Sequence, residues 1–437
     1  MKISKIPLLK LINTKFKKDL LFSYFSQFII IGSGFLQLFL INKFFGVTIY
    51  GQLMIIVSSA GIFSSLLSPR SSESMTRFIT REELNGNYNN AKLIISLGLI
   101  VDLLLGLLLV LFIYFTSEFI AQIFLKNRGF ANVVYLYSFV TLFGFLRGTL
   151  TGFFQSKEKF ILINIIGFVE SVVSIILLSG VIFLVKSFSL KALIYTNIGS
   201  SFIVYLILLI AFINNYLKQF SKSKLKYSSK IVREYIAYNL KTFLSSSLKA
   251  GNKNVDNLIL GYFLDAKIVG VYQSLKKIMS PLLIMVQPLS LLIYPRMIKY
   301  FEQNQKKNLQ KIILKTSKII LIIGIGYVIL SSLTLRYIFP LMSVNYYSKY
   351  LFYFMLLGLI SLFSILQWWV RIFSNTINPN FSIRTNFFAT LFQILVTIQL
   401  VRYFHFIGLL ISLLLLNILI FYYYILKLKK YVKSSVQ

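Results

Sequence analysis

Lysine, asparagine and aspartate recur at helical spacing in the stretch KTFLSSSLKAGNKNVD, residues 241–256. At about 100° per residue they fall within an arc of roughly 120°, and apolar residues occupy the opposite side. The residues that we place on this polar arc are Lys241, Ser245, Lys249, Asn252, Lys253 and Asp256. Ammonium groups gathered on one helix face bind phosphate through charge-assisted hydrogen bonds. The stretch therefore predicts an anion-binding face on an amphipathic helix.

Other charged residues lie within long apolar runs. The cations are Arg147, Lys241, Lys249, Lys253, Lys276, Lys277 and Arg371, and the acids are Asp102, Glu170 and Asp256. A basic side chain at mid-bilayer costs about 2.5–3.5 kcal/mol, so these groups must face protein or water. Some can be ion pairs that serve only assembly, such as Arg147 with Asp102 or Glu170. The surplus of cations predicts an anionic ligand, most economically a phosphate or pyrophosphate.

The elements that position these residues are membrane-spanning helices. The chain has 437 residues, of which 57% are hydrophobic, and its mean hydropathy is +0.78. We predict an all-α polytopic membrane protein with about twelve spans. They cover residues 20–42, 46–68, 92–115, 130–155, 160–185, 188–213, 236–262, 268–294, 313–335, 350–374, 381–401 and 406–426. A loop of residues 69–92 separates spans two and three. There is no cysteine, so thiol catalysis, disulfides and Cys-ligated metals are excluded.

The net charge of +34 is explained by topology. With both termini cytoplasmic, 29 of the 46 Lys and Arg residues fall in cytoplasmic segments and 9 in outer ones. This distribution predicts contact with anionic membrane lipids and excludes a nucleic-acid partner. It also bears on residues 241–256, which could lie on the membrane surface or span it. If they did not span it, every later basic loop would face outward, so we favour the spanning interpretation.

The chain resembles itself at an offset of about half its length. FFGVTIYG, which ends at Gly51, matches FLDAKIVG, which ends at Gly270, and both corners lie between two predicted spans. Such an offset predicts two six-helix lobes around a central cavity. We expect an N-terminal lobe at 1–217, a basic cytoplasmic linker at 218–235 and a C-terminal lobe at 236–437.

Three prolines recur at intervals of seven on the eighth span. They are Pro281, Pro288 and Pro295. Proline removes a backbone hydrogen bond and kinks a helix, so these residues are either tolerated kinks or a hinge in a moving helix.

Several segments together resemble the O-antigen-type polysaccharide-repeat flippases of the multidrug/oligosaccharidyl-lipid/polysaccharide exporter superfamily. The similar segments are FFGVTIYGQLMIIVS at 44–58, SMTRF at 74–78, NVDNLILGYFL with Asp256, IVGVYQSLKKI, and the pair Pro295–Arg296. They occur in order, at matching spacing, over most of the chain.

The resemblance implies a function in the bacterial inner membrane. Members of that family move an undecaprenyl-pyrophosphate-linked oligosaccharide between leaflets by alternating access, and their relatives usually couple to H+ or Na+. The implied partners are the lipid-linked substrate, the coupling ion and a polysaccharide polymerase; no cofactor is expected. Arg147, Lys241, Lys249, Asn252, Lys253, Lys276, Lys277 and Arg371 would bind the substrate. Asp102, Glu170 and Asp256 are the candidates for ion coupling; Asp256 is the poorer proton carrier of the three, because lysines flank it.

Two other functions remain open. A multidrug exporter of the same superfamily would need carboxylates to hold cationic substrates, and here the excess charge is positive. A membrane enzyme acting on lipid-linked sugars would need a sizeable outer loop bearing catalytic residues. The outer loops are short, and their acids are Glu118 and Asp265.

Overall fold

The chain folds almost entirely into helices. A computed structural model describes residues 14–67, 71–220, 227–341, 347–377 and 379–433, and within these ranges there is no strand. The predicted all-α class is confirmed, and the chain is a multi-pass membrane protein.

The described residues contain thirteen α-helices. In order they are α1 (Thr14–Phe44), α2 (Val47–Leu67), α3 (Ser71–Leu84), α4 (Tyr88–Phe124), α5 (Ala131–Ser156), α6 (Phe160–Gly180), α7 (Leu190–Phe220), α8 (Ser229–Phe263), α9 (Ala266–Glu302), α10 (Lys306–Leu341), α11 (Tyr347–Leu366), α12 (Val370–Ile377) and α13 (Pro379–Lys433). A short 3-10 turn, Arg128–Phe130, precedes α5, and a π-helical turn, Val181–Val185, continues α6.

Each of the twelve predicted spans falls mainly on helix, and a turn at 367–369 divides the tenth between α11 and α12. Eight stretches of the described chain are long and apolar enough to cross a membrane, and the last of them, Phe387–Val432, includes most of the predicted span 381–401 and all of 406–426. Helices α8 and α9 are equally long but carry more charge, and they are not among the eight. A 35-residue helix such as α8 is about 52 Å long, which exceeds the thickness of a bilayer core.

The segment that the sequence assigned to a loop contains helix α3. Its buried residues Met75, Phe78 and Ile79 recur at i, i+3 and i+4, and charged residues lie between and beyond them. Helix α3 has 14 residues, two of them arginines, so it is too short and too charged to be identified as a membrane span. A hydropathy pattern therefore does not reveal it.

The last two predicted spans form a helical hairpin within α13. The backbone leaves helical geometry at His405, where φ is 54° and ψ is −132°. A Cβ on Gly408 would overlap the Leu400 carbonyl group, so the two arms approach closely at this point. The Thr397 and Ser412 hydroxyls lie 2.8 Å apart across the hairpin.

The helices group into two compact units, each assembled from separate stretches of chain. Unit 1 comprises residues 1–37, 66–117 and 132–244, and unit 2 comprises residues 38–65, 118–131 and 245–437. Unit 1 is centred on a cluster that includes Met75, Phe153 and Phe212. Unit 2 contains a cluster around Trp369 and Phe373. The predicted lobes at 1–217 and 236–437 and the linker at 218–235 stay a prediction.

Candidate functional site

Asp256 is the centre of a polar network in unit 2. Its side chain is buried in α8, and its two oxygens accept hydrogen bonds from the Tyr272 hydroxyl at 2.8 Å and from the Gln393 amide at 2.9 Å. The ammonium of Lys276 lies 3.6 Å from the same carboxylate. The fold therefore brings together a predicted ion-coupling residue and a predicted anion ligand, and their charges offset each other.

The two neighbouring lysines of α9 differ in their surroundings. Lys276 contacts the Tyr272 hydroxyl at 3.3 Å, and its ammonium lies over the Tyr272 ring. Lys277 is half-buried, and the described part of the chain provides no carboxylate within ion-pair distance of it. The positive charge of Lys277 thus remains available to a ligand, whereas that of Lys276 is partly used by Asp256.

A second set of buried polar contacts joins α1, α2, α8 and α9 within unit 2. The Asn257 amide donates to the Ser58 hydroxyl at 2.7 Å, and Gln273 donates to Asn257 at 2.6 Å. The Asn42 amide donates to Ser274 at 2.9 Å. Sequence reasoning did not select Ser58, Asn257 or Gln393, because isolated polar residues on apolar helices usually serve helix packing.

Several predicted residues have side chains outside the described part of the structure. These are Lys241, Lys249, Asn252, Lys253, Arg371, Pro288 and Pro295, although their backbones are helical. Helix α9 runs without interruption through all three prolines, of which Pro281 is half-buried. Their roles as substrate ligands and as a hinge stay predictions.

In unit 1, Arg147 of α5 pairs with Glu170 of α6. A guanidinium nitrogen lies 2.9 Å from a carboxylate oxygen, and both side chains are partly exposed. This is one of the two ion pairs that the sequence allowed. The charge of Glu170 is therefore compensated within the protein.

Asp102 has different partners. It is buried in α4, where it accepts hydrogen bonds from the Ser71 hydroxyl and from the Thr149 backbone N–H, the latter at 2.8 Å. No cationic side chain of the described residues lies within ion-pair distance of it. Of the three acids in the spans, Asp102 is the one that the described residues leave without a counter-charge.

Charged residues at the ends of helices in unit 1 form structural ion pairs. Arg81 of α3 pairs with Glu234 of α8 at 3.0 Å, and Lys157, in the turn after α5, pairs with Glu83. Burial lowers the pKa of Lys157, and the hydrogen bond from its ammonium to Glu83 opposes that shift. The two basic residues were counted among the Lys and Arg of the predicted cytoplasmic segments. Their ion pairs also connect the ends of α3, α5 and α8.

Comparison with known proteins identifies the family of this chain. The model of the family described as "Polysaccharide biosynthesis protein" matches residues 16–301, which is more than half of the chain. No curated protein matches the sequence.

Solved structures show the same fold at low sequence identity. The lipid II flippase MurJ, in an inward closed conformation, is similar at a TM-score of 0.69 and 17% identity, over 95% of this chain and 87% of that one. An inward-facing multidrug resistance MATE family transporter of the MOP superfamily is similar at a TM-score of 0.67 and 16% identity, over 91% of this chain and 96% of that one. A MOP superfamily transporter from Pyrococcus furiosus is described as having a binding pocket of reverse polarity. It is similar at a TM-score of 0.57 and 13% identity, over 95% of this chain and 96% of that one.

The family match and the fold agree with the resemblance found in the sequence segments. The multi-helix architecture is that of MOP superfamily transporters. The family match at 16–301 includes Asp256, Tyr272 and Lys276 of the polar network, whereas Gln393 lies beyond it. The chain belongs to the polysaccharide biosynthesis protein family and has the fold of the multidrug/oligosaccharidyl-lipid/polysaccharide exporters.

Proposed function

We propose that this protein is a flippase for a lipid-linked polysaccharide precursor. It moves an undecaprenyl-pyrophosphate-linked oligosaccharide, such as an O-antigen or capsule repeat unit, from the inner to the outer leaflet of the bacterial inner membrane. The movement proceeds by alternating access and is coupled, as an antiport, to H+ or Na+. Both termini are cytoplasmic, and the partners are anionic lipids and a polysaccharide polymerase.

The family match is the observation that carries this proposal. The charge on α8 and α9 supplies the chemistry, because an excess of ammonium groups suits a pyrophosphate. Lys277, which is half-buried, is a cation of α9 for which the described residues provide no carboxylate at ion-pair distance. The similarity of the fold to a lipid II flippase agrees with the proposal, since that name describes a lipid-linked substrate.

The two rival functions fit the described contacts less well. A cationic drug needs an available carboxylate, but Glu170 is paired with Arg147 and Asp256 lies beside Lys276. Asp102 is 1% exposed, which leaves little access for an organic cation. A membrane enzyme is also disfavoured, because the solved structures with this fold are transporters and a flippase.

The test is transport of a lipid-linked oligosaccharide by charge-reversal variants. Lys249→Glu with Lys253→Glu should abolish surface polysaccharide in a strain that depends on this protein, while the variant inserts at normal levels. The matched control is Lys299→Glu, an exposed lysine near the end of α9, which should retain transport. Flipping by purified protein in liposomes, read by access of the oligosaccharide to an external lectin, gives a direct measure.

Normal polysaccharide with the double variant would refute the cationic binding face. Equal flipping of a neutral lipid-linked sugar without pyrophosphate would refute the substrate class. Export of a cationic dye that requires Asp256 would favour the drug-exporter alternative.

A further inference from the structure

Helix α10 carries one exposed stripe that changes from charged to apolar along its length. The stripe begins with the exposed lysines Lys311, Lys315 and Lys318. It continues with apolar residues from Ile322 to Leu333, which are 72% and 67% exposed, and it ends at Arg336. At about 100° per residue these positions fall within an arc of about 80°. The opposite side of the helix is buried in unit 2, so the stripe faces outward.

The apolar part of the stripe has the length of a bilayer core. Lys318 and Arg336 are 18 residues apart, which is about 27 Å along a helix, and a hydrocarbon core is about 30 Å thick. A water-filled path would need polar groups along its length, and the stretch from Ile322 to Leu333 presents apolar side chains on this arc. The stripe therefore faces lipid, and Lys318 lies at the boundary between the core and the head groups.

The other two lysines extend from this boundary into the head-group layer. Lys315 and Lys311 lie about 4.5 and 10 Å beyond Lys318 along the helix axis. Head groups occupy about 5–8 Å on each side of the core, and a lysine side chain is long and flexible enough to place its ammonium within that layer. Three ammonium groups in one line thus reach the depth at which phospholipids carry their phosphates.

The described protein supplies no counter-charge to these lysines. Residues 303–437 contain neither Asp nor Glu. No carboxylate of the described residues lies within ion-pair distance of Lys311, Lys315 or Lys318. Glu302 is the nearest acid along the chain, and its side chain lies outside the described structure. An anion from outside the protein is therefore the expected partner.

Helix α13 brings further cations to the same end of unit 2. The ammonium of Lys306, at the start of α10, lies 4.7 Å from the centroid of the Tyr431 ring near the end of α13. Lys429 and Lys430 are exposed there, about one turn beyond the exposed Leu426. The two helix ends form one basic surface, which attracts anionic lipid more strongly than a single lysine does.

We propose that Lys311, Lys315 and Lys318 form a binding site for an anionic phospholipid on the lipid-facing side of α10. The ammonium groups bind the phosphate of the head group, and the apolar stripe that follows packs against the acyl chains. The charge distribution predicts that this end of α10 is cytoplasmic, so the lipid belongs to the inner leaflet. As a lipid site the proposal stands on unit 2 alone. As the place of the anionic-lipid partner it rests on the proposed function.

The test is native mass spectrometry of the full-length protein in detergent. The probes are palmitoyl-oleoyl phosphatidylglycerol, which is anionic, and phosphatidylcholine with the same acyl chains, which is zwitterionic. The wild type should bind phosphatidylglycerol more tightly. A glutamine variant, Lys311→Gln with Lys315→Gln and Lys318→Gln, should weaken its first binding event by roughly a hundredfold, because each lysine near an anionic lipid contributes about fivefold.

Two control variants separate the stripe from the net charge. Lys186→Gln with Lys191→Gln and Lys267→Gln removes three exposed lysines from other parts of the chain. It lowers the net charge by the same amount and should bind phosphatidylglycerol as the wild type does. Replacement of the three stripe lysines by arginine keeps the charge and should retain the binding.

The alternatives give different results. Equal affinity of the wild type and the glutamine variant for phosphatidylglycerol overturns the site, and so does an equal loss in the control that removes lysines elsewhere. Competition by soluble glycerol 3-phosphate at the lipid concentration would assign the lysines to a soluble ligand and overturn it too. If Glu302→Gln destabilises the lipid-free protein as much as the glutamine variant does, and the wild type shows no lipid preference, Glu302 is the counter-charge and the site is again overturned.

The site and the proposed function can fail separately. A glutamine variant that loses phosphatidylglycerol but still flips the oligosaccharide supports the site and removes this lipid from the requirements of transport. A wild type that binds phosphatidylglycerol at the stripe but flips no lipid-linked oligosaccharide supports the site and refutes the proposed function.

Discussion

The backbones of Gly51 and Gly270 lie against each other where α2 and α9 begin. A Cβ on Gly51 would lie 2.7 Å from the Gly270 nitrogen, and a Cβ on Gly270 would lie 3.1 Å from the Gly51 nitrogen. The same added atoms would overlap the carbonyl groups of Ala266 and Val47 respectively. Gly51 and Gly270 are 219 residues apart, as are Val47 and Ala266. Each contact therefore has a counterpart in which the two halves of the chain exchange roles.

A second pair of contacts repeats this exchange. Asn42 donates to Ser274, and a Cβ on Gly261 would lie 2.9 Å from the Ile55 side chain. Asn42 and Gly261 are again 219 residues apart, and so are Ile55 and Ser274. Reciprocal contacts of this kind are the signature of a twofold axis. They support the internal repeat that the sequence predicts, at the two corners where the sequence similarity is clearest.

Larger residues at this crossing should separate α2 from α9. Gly51→Leu and Gly270→Leu each force a side chain into backbone atoms, so we expect a loss of about 1–3 kcal/mol and reduced transport. The control is Gly326→Ala in α10, where no atom lies within 4 Å of the added Cβ. Thermal unfolding and flipping in liposomes check this. Normal behaviour of both leucine variants would contradict the close contact.

Lys277 should contribute more to binding of an anionic substrate than Lys276. A charged hydrogen bond is worth about 1.5–3 kcal/mol, so Lys277→Gln should weaken binding by roughly tenfold or more. Lys276→Gln with Asp256→Asn removes a pair whose charges offset each other, and it should change binding much less. Binding of a pyrophosphate-bearing lipid to the purified protein measures both effects. A larger effect of the double variant would reverse the assignment.

Arg147 and Glu170 should behave as a structural pair in a double-mutant cycle. Arg147→Gln and Glu170→Gln are each expected to destabilise the protein, with a coupling free energy of about 1 kcal/mol because both groups are partly exposed. The double variant, measured by thermal unfolding and flipping, should then transport like the wild type. Lost transport in the stable double variant would indicate instead that Arg147 contacts the substrate.

The sequence predicted the helices and the charge pattern but not the partners of individual charges. Most predicted spans were identified by apolar length and fall on helix, whereas the span at 236–262 was inferred from the distribution of basic residues. The pairing of Arg147 with Glu170 was one of two alternatives, since spacing along the chain does not determine which helices are neighbours. Gln393 is 137 residues from Asp256 and carries no charge, so nothing in the sequence connects the two. Tertiary packing supplies that connection.

The central part of α8 should be accessible to water on its polar face. Helix α8 is continuous from Ser229 to Phe263, and its described C-terminal part is packed inside unit 2, with Asp256 and Asn257 buried. A helix lying on the membrane surface would expose such residues, so the packing favours the spanning interpretation. The polar arc predicted around Lys249 would then line an aqueous path.

Because the protein has no native cysteine, single cysteines at 245, 249 and 252 can be labelled directly in cells. We expect a membrane-impermeant thiol reagent to reach them from both sides, since alternating access opens the same face to each side in turn. Leu248→Cys, on the predicted apolar face, should stay unlabelled as the matched control. Labelling from the cytoplasmic side alone would place the helix on the inner surface, and the basic loops that follow α9 would then have to face outward.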